Sequence, residues 1–316
     1  MENDQTSVIE TARSGVRKGL KGFAWILKIF IPVSFLTMLL NWSGWISKAD
    51  VLLEPLMGWL HLPAMAGLPL LIGMIAGMYG GIASMMALPF THDQTTLIAV
   101  FMIVAHNLVQ EGIVQAKSGF PFWKATLLRV GAAALCVLLV SPFLHSLPAS
   151  VTPVQSLAPV IPPLGPVLAA WGMSMLRLIL IVFLVSVTIL VSLEIMKSRG
   201  WISLLMKGCS PLFRFLGLPE NVGVLWVIGA VFGLGYGGAV IVEEIKEGHL
   251  GREQLELLHI SLGIQHSLIE DPVLFIALGV HAFWLCAPRL VVALMVVRLY
   301  GLCQWLLRTT IPKRSS

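Results

Sequence analysis

Two short stretches decide how this chain is read: His106-Asn107-Leu108-Val109-Gln110-Glu111-Gly112 and His266-Ser267-Leu268-Ile269-Glu270-Asp271-Pro272. Each sets a histidine and one or two carboxylates beside long apolar runs. An arginine follows each histidine further on, Arg129 and Arg289. Both the histidines and the arginines are spaced 160 residues apart. Working outward, Gly77-Met78-Tyr79-Gly80-Gly81 matches Gly233-Leu234-Gly235-Tyr236-Gly237-Gly238 with one inserted residue. Further upstream, Pro55-Leu56-Met57-Gly58-Trp59-Leu60-His61-Leu62-Pro63 matches Pro211-Leu212-Phe213-Arg214-Phe215-Leu216-Gly217-Leu218-Pro219. Four landmarks in one order, in a chain poor in His and Arg, predict a duplicated unit.

Composition sets the solvent. Of 316 residues, 57% are hydrophobic and only 12% are charged, and the mean hydropathy is +0.88. A soluble domain needs roughly 25% charged residues to cover its surface. A soluble enzyme, a disordered protein and a nucleic-acid-binding module are therefore excluded. The net charge of +5 fits cytoplasmic loops rich in Lys and Arg. Cys136, Cys209, Cys286 and Cys303 form no C-x-x-C pair and read as small buried hydrophobes. No signal peptide is legible at the N-terminus. Val8, Ala12, Val16 and Leu20 recur at helical spacing beside Arg13, Arg17, Lys18 and Lys21, as in a helix lying on the inner leaflet.

A spanning helix needs about 20 apolar residues. The uncharged runs predict an all-α integral membrane protein with about eight embedded helical pieces, several of them incomplete crossings. The run 55–91 is too long and too interrupted by Pro and Gly for one straight helix. Basic residues flank both ends of the chain and follow the fifth helix, while the Pro-rich stretch 146–165 has no Lys or Arg. Both termini then read as cytoplasmic and the linker as external. Each half crosses an odd number of times, so the two are inverted-topology repeats with broken or re-entrant helices. The expected boundaries are 1–20 for an amphipathic segment, 21–146 and 166–307 for the repeats, 147–165 for the linker and 308–316 for a basic tail.

Ionisable groups inside a membrane are costly and default to function. The leading candidates are His106, Asn107, Glu111, Arg129, His266, Ser267, Glu270, Asp271 and Arg289. A solute or proton site between the halves is one reading of them; a structural hub locking helix ends is the other. For the arginines, the choice lies between an anion clamp and snorkelling at a helix start. Tyr79, Gly80, Gly81, Tyr236, Gly237 and Gly238 are candidates as helix breaks that free backbone groups for a ligand; close helix packing is the alternative. Glu220 and Asn221 read first as helix capping and second as site residues. A metal is held as an alternative through His266 and Glu270, which at i and i+4 would share one helix face. No Walker motif, nucleophile elbow or H-E-x-x-H is present, so no enzyme activity and no cofactor are expected.

These blocks resemble the Gate, or nucleoside-recognition, domain. That domain occurs in concentrative nucleoside transporters, in the membrane part of the bacterial ferrous-iron transporter B and in spore maturation proteins A and B. The resemblance rests on the duplicated P-L…L-x-L-P block, the Gly-rich helix after it and the H-x-L-[IV]-[EQ]-[DE] segment, and it covers most of residues 20–307. It implies inverted repeats, broken helices and movement of a small solute. An attached GTPase domain of the iron-transporter kind is not expected. The expectation is an inner-membrane, secondary-transporter-like protein moving a small polar or anionic solute, nucleoside-like or phosphorylated. A cation or divalent-metal permease, a lipid-linked substrate translocase and a non-transporting assembly protein are the alternatives. Expected partners are the solute and membrane lipids, a homo-oligomer is left open, and nucleic acid is not expected.

Overall fold

The computed structural model describes residues 2–144, 162–201, 220–246 and 251–310, with single positions between 204 and 218. Some side chains inside these helices fall outside the described set. Among the described residues the chain is helical throughout, with no strand. The order is α1 (Glu2–Trp42), α2 (Trp45–Trp59), α3 (Gly67–Ala76), α4 (Met78–Met85), α5 (His92–Ala105), α6 (Leu108–Lys117), α7 (Phe122–Val140), α8 (Leu164–Ser198), α9 (Glu220–Lys246), α10 (Arg252–Gln265), α11 (Glu270–Ala277) and α12 (Ala282–Thr310).

Among the described residues, four helical stretches are long and apolar enough to cross a membrane: His92–Lys117, Phe122–Phe143, Leu164–Met196 and Ala282–Leu306. A fifth is a pair bent by 88°, Leu52–Trp59 with Ala64–Ala76, and Ile26–Trp42 and Val222–Val231 are shorter apolar helices. The outward faces suit a hydrocarbon solvent. Leu176, Leu180 and Leu184 of α8 and Val291, Met295, Leu299, Leu302 and Leu306 of α12 are all exposed and recur at helical spacing. Trp45, Trp59, Trp201 and Trp305 are exposed as well, in keeping with an interfacial belt.

The centre is α5. It is apolar all round, as a fully enclosed helix must be, and every residue from Thr96 to Ala105 is buried. Its start is set by a capping box: Gln94 N donates to Thr91 Oγ1 at 3.2 Å, and Thr91 N donates to Gln94 Oε1 at 3.0 Å. Helix α5 packs against α7, α10 packs against α12, and α7 and α12 touch each other. Helix α1 lies along α8, joined by the Phe23–Phe183 ring pair with centroids 5.0 Å apart and by Trp171 Nε1 donating to Ser34 Oγ at 3.0 Å.

The landmark pairs have the same local geometry in both halves. In the proline-bounded blocks, Leu62 N donates to Met57 O and Leu218 N to Phe213 O, and all four side chains are buried. Gly77 sits at φ 88, ψ 172 and Gly233 at φ 77, ψ 169. That backbone region is closed to residues carrying a Cβ. Helix α3 ends at Gly77, and Gly233 splits α9. Further on, α5 ends at His106, and Asn107 follows at φ 53; α10 ends at His266, and Ser267 follows at φ 49.

Two expectations shift here. The long run 55–91 does divide, but at His61–Pro63 and at Gly77 rather than at the Tyr-Gly-Gly step. Gly80 and Gly81 are helical and buried inside α4. A Cβ on Gly81 would meet Met102 Sδ at 2.4 Å, so these glycines serve close packing. The surroundings of Tyr236, Gly237, Gly238, Glu220 and Asn221 lie outside what is described, as does most of the Pro-rich linker.

Candidate functional site

The broken helices meet one another. Asn107 N donates to Gly73 O at 2.8 Å, and Leu268 N donates to Ala230 O at 2.6 Å. A Cβ built on Gly233 would lie 2.8 Å from Ser267 Oγ, and one on Gly77 would lie 3.7 Å from Asn107. Each glycine break is thus pressed against the left-handed residue that follows a histidine. Ending a helix in the interior leaves carbonyls without intrahelical donors, and the arginines supply those donors. Arg129 Nε donates to Val104 O at 2.9 Å and Arg129 Nη2 to His106 O at 2.6 Å. Arg289 does the same for Ile264 O and His266 O. Both arginines are 1% exposed. Their first task is therefore to cap α5 and α10, and neither lines the cavity described below.

The third nitrogen separates the two arginines. Arg129 Nη1 pairs with Glu111 Oε2 at 2.6 Å, a charge-assisted contact inside the protein. Arg289 Nη1 is buried with no hydrogen-bond partner among the described residues.

The two histidines face each other across the halves, with ring centroids 5.0 Å apart. His106 Nδ1 lies 2.8 Å from Met102 O, and His266 Nδ1 lies 3.1 Å from Leu262 O. A carbonyl can only accept, so Nδ1 carries the proton in each ring and Nε2 points inward. Around these atoms stand Glu111 Oε1, 3.7 Å from His106 Nε2; Glu111 Oε2, 3.3 Å from His266 Nε2; and Asp271 Oδ2, 3.7 Å from His106 Nε2. Arg129 Nη2 also reaches His266 Nε2 at 3.2 Å.

The expected helical pair His266–Glu270 does not form. His266 ends α10, the chain turns through the left-handed Ser267, and Glu270 opens α11, so i,i+4 spacing has no meaning across the break. Glu270 accepts instead from Tyr79 Oη at 2.9 Å, across the two halves. Its neighbour Asp271 takes the place beside His106. Glu111, Glu270 and Asp271 all lie in the first turn of α6 or α11, where the helix dipole favours negative charge.

A cavity of about 240 Å³ opens on this cluster. Its polar lining includes Tyr79, His106, Asn107, Gln110, Glu111, Ser267, Glu270 and Asp271, with Gly77 and Gly233 at its wall. Its charged lining is thus three carboxylates contributed by both halves.

Sequence reasoning gave His259 only a structural reading and passed over Gln115. His259 is fully buried; its Nε2 lies 3.2 Å from Ser118 O, its ring stacks on Phe120, and Gln115 Nε2 donates to His259 O at 3.3 Å. The pair ties α6 to α10. Neither residue has a duplicated partner, so the repeat carried no signal for it. The break glycines, Gly77 and Gly233, open the two Gly-rich blocks, but the sequence reading sets the breaks at the Tyr-Gly-Gly steps instead.

The chain is 26% identical over 279 residues to a Bacillus subtilis (strain 168) protein called "Uncharacterized membrane protein YvoD"; the match covers 86% of this chain and 88% of that one. No family model matches the chain, and no solved structure matches it. Apolar helices long enough to span and a membrane-protein relative covering most of its length make this chain a multi-pass membrane protein.

Proposed function

We propose that the chain is a secondary-transporter-like protein of the inner membrane, built from two inverted Gate-type repeats with both termini cytoplasmic. About eight embedded pieces, counting each half of a broken helix that reaches the midplane, would make up the two repeats. The cavity between them would be the solute site. The observation that carries this reading is the cavity wall, where Glu111 from one half and Glu270 and Asp271 from the other face a common space between four helix breaks. Broken helices that expose backbone groups at mid-depth are how secondary transporters build their sites.

The lining narrows the solute. The arginines spend their donors on helix carbonyls and on Glu111, so the expected anion clamp is not what the cavity presents. Three carboxylates, a phenol and two amides favour a small polar solute that is neutral or positively charged over a phosphorylated one.

The test is a thermal-stabilisation screen of the purified chain in micelles, using amines, amino acids, nucleosides and phosphorylated metabolites as separate classes. A neutral or cationic class should raise the melting temperature of the wild type, and Glu270→Gln should abolish the rise. Stabilisation by phosphorylated compounds alone, retained in Glu270→Gln and lost in Arg289→Gln, would overturn the reading.

A further inference from the structure

The geometry points to a divalent transition-metal site at the floor of the cavity, formed by His106 Nε2, His266 Nε2 and Asp271 Oδ2. One ligand atom from each residue lies within 4.8 Å of the others, and all three residues are buried. The inference goes beyond solute movement, because a resident ion would sit there whether or not anything crosses.

The first reason is a mismatch of donors and acceptors. Each imidazole has committed its only N–H to a backbone carbonyl, so each Nε2 presents a lone pair; that of His266 faces Arg129 Nη2 at 3.2 Å, and that of His106 has no such donor. The atom that faces His106 Nε2 at 3.7 Å is a carboxylate oxygen of Asp271, which is also an acceptor. Acceptors turned toward one another are unfavourable unless a proton or a cation stands between them, and a metal ion is the occupant that would also engage His266 Nε2. Arg129 serves the His266 side, but it does not serve His106 Nε2 or Asp271 Oδ2. The second reason is independent of spacing: Asp271 Oδ2 is buried with no hydrogen-bond partner among the described residues. It faces His106 Nε2 at 3.7 Å, within 4.8 Å of the His266 ligand atom.

The dimensions and the surroundings fit a metal. Donors bound to a tetrahedral ion at about 2.0–2.1 Å stand about 3.4 Å apart, close to the 3.7 Å between His106 and Asp271. An Nδ1–H held by a carbonyl is the usual outer contact of a metal-bound histidine, fixing its tautomer and ring angle. Two imidazoles and one carboxylate suit Zn²⁺, Co²⁺ or Fe²⁺, and suit Mg²⁺ or Ca²⁺ poorly, since those ions prefer all-oxygen shells. His106 and Asp271 also line the cavity, so a bound ion would keep open coordination positions facing it.

Titration of the full chain in micelles with Co²⁺, followed by visible ligand-field absorption, tests the site. Wild type should take up one Co²⁺ per chain, released by Zn²⁺ and not by excess Mg²⁺. His106→Ala and the isosteric Asp271→Asn should each weaken binding by at least about tenfold, with monodispersity on gel filtration showing that the variants are folded. Glu270→Gln should keep Co²⁺ binding while losing solute stabilisation, which separates this site from the transport reading. A wild-type chain that takes up neither Co²⁺ nor Zn²⁺ overturns the proposal. So does Co²⁺ binding left unchanged in both His106→Ala and Asp271→Asn. Solute stabilisation without any metal uptake would overturn this inference and leave the transport reading standing.

Discussion

The two halves break their helices at matching positions and differ in their side-chain economies. In the first, Arg129 caps α5 and uses its remaining nitrogen on Glu111 at 2.6 Å. In the second, Arg289 caps α10 in the same way, but its remaining nitrogen has no hydrogen-bond partner among the described residues. Asp271 stands where Glu111 stands in the first half and is one methylene shorter. Its Oδ2 faces His106 of the other half instead of its own arginine. Both halves therefore keep what the broken helices need, a donor pair for the last carbonyls. The carboxylates were free to diverge. Where backbone satisfaction sets the requirement, the halves agree; where only side chains are involved, one half is closed and the other is open.

Removing the arginines tests this contrast most severely. Arg129→Gln should destabilise the chain by about 3–5 kcal/mol, because it leaves Glu111 buried without its partner as well as two orphaned carbonyls. Arg289→Gln loses only the carbonyl contacts, and about 1.5–3 kcal/mol is expected. Chemical denaturation in micelles measures both; equal losses would mean that the ion pair adds nothing.

The matching carboxylates should differ in the same direction. Glu111→Gln should cost about 1.5–3 kcal/mol through its bond to Arg129, whereas Asp271→Asn should stay within about 0.5 kcal/mol of wild type, since it breaks no hydrogen bond at Oδ2. A large loss in Asp271→Asn would show a structural partner for that oxygen.

The glycine breaks should cost about 1–3 kcal/mol each when replaced by alanine, for backbone strain alone. Gly233→Ala should be the worse of the two, because its new Cβ would stand 2.8 Å from Ser267 Oγ while that of Gly77→Ala would stand 3.7 Å from Asn107. Adding Ser267→Ala should recover part of the loss at Gly233 and nothing at Gly77, as read by melting temperature.

The smallest difference lies at the starts of α5 and α10. Thr91→Ala removes half of a capping box and should cost about 1 kcal/mol. Gly251 has no hydroxyl, and only Gln254 Oε1 closes back onto its N–H at 3.1 Å. Gly251→Ser should therefore gain a few tenths of a kcal/mol.

Much of this was readable before any coordinates. Pairing His106 with His266 and Arg129 with Arg289 required only counting, and those four side chains form the buried centre. Scarcity made them legible: a His or Arg inside an apolar run is expensive enough that repetition stands out. Helical spacing misled at the same spot. His266 and Glu270 look like neighbours on one face, but the left-handed Ser267 between them ends that face. Gly80 and Gly81 drew attention as a break because glycine permits either a break or close packing, and sequence alone does not distinguish the two. His259 and Gln115 carried no signal of their pairing because neither has a counterpart in the other half.

By itself, then, the sequence determined the solvent, the helical class and the candidate duplication, since these follow from how many residues avoid water and how often scarce ones recur. Tertiary structure alone decided which carboxylate meets which histidine, that the arginines cap helices and do not line the cavity, and that one buried oxygen of Asp271 has no hydrogen-bond partner among the described residues. Those outcomes depend on distances of a few ångströms between segments about 160 residues apart in the chain. Short-range periodicity holds no information about them once a helix is broken.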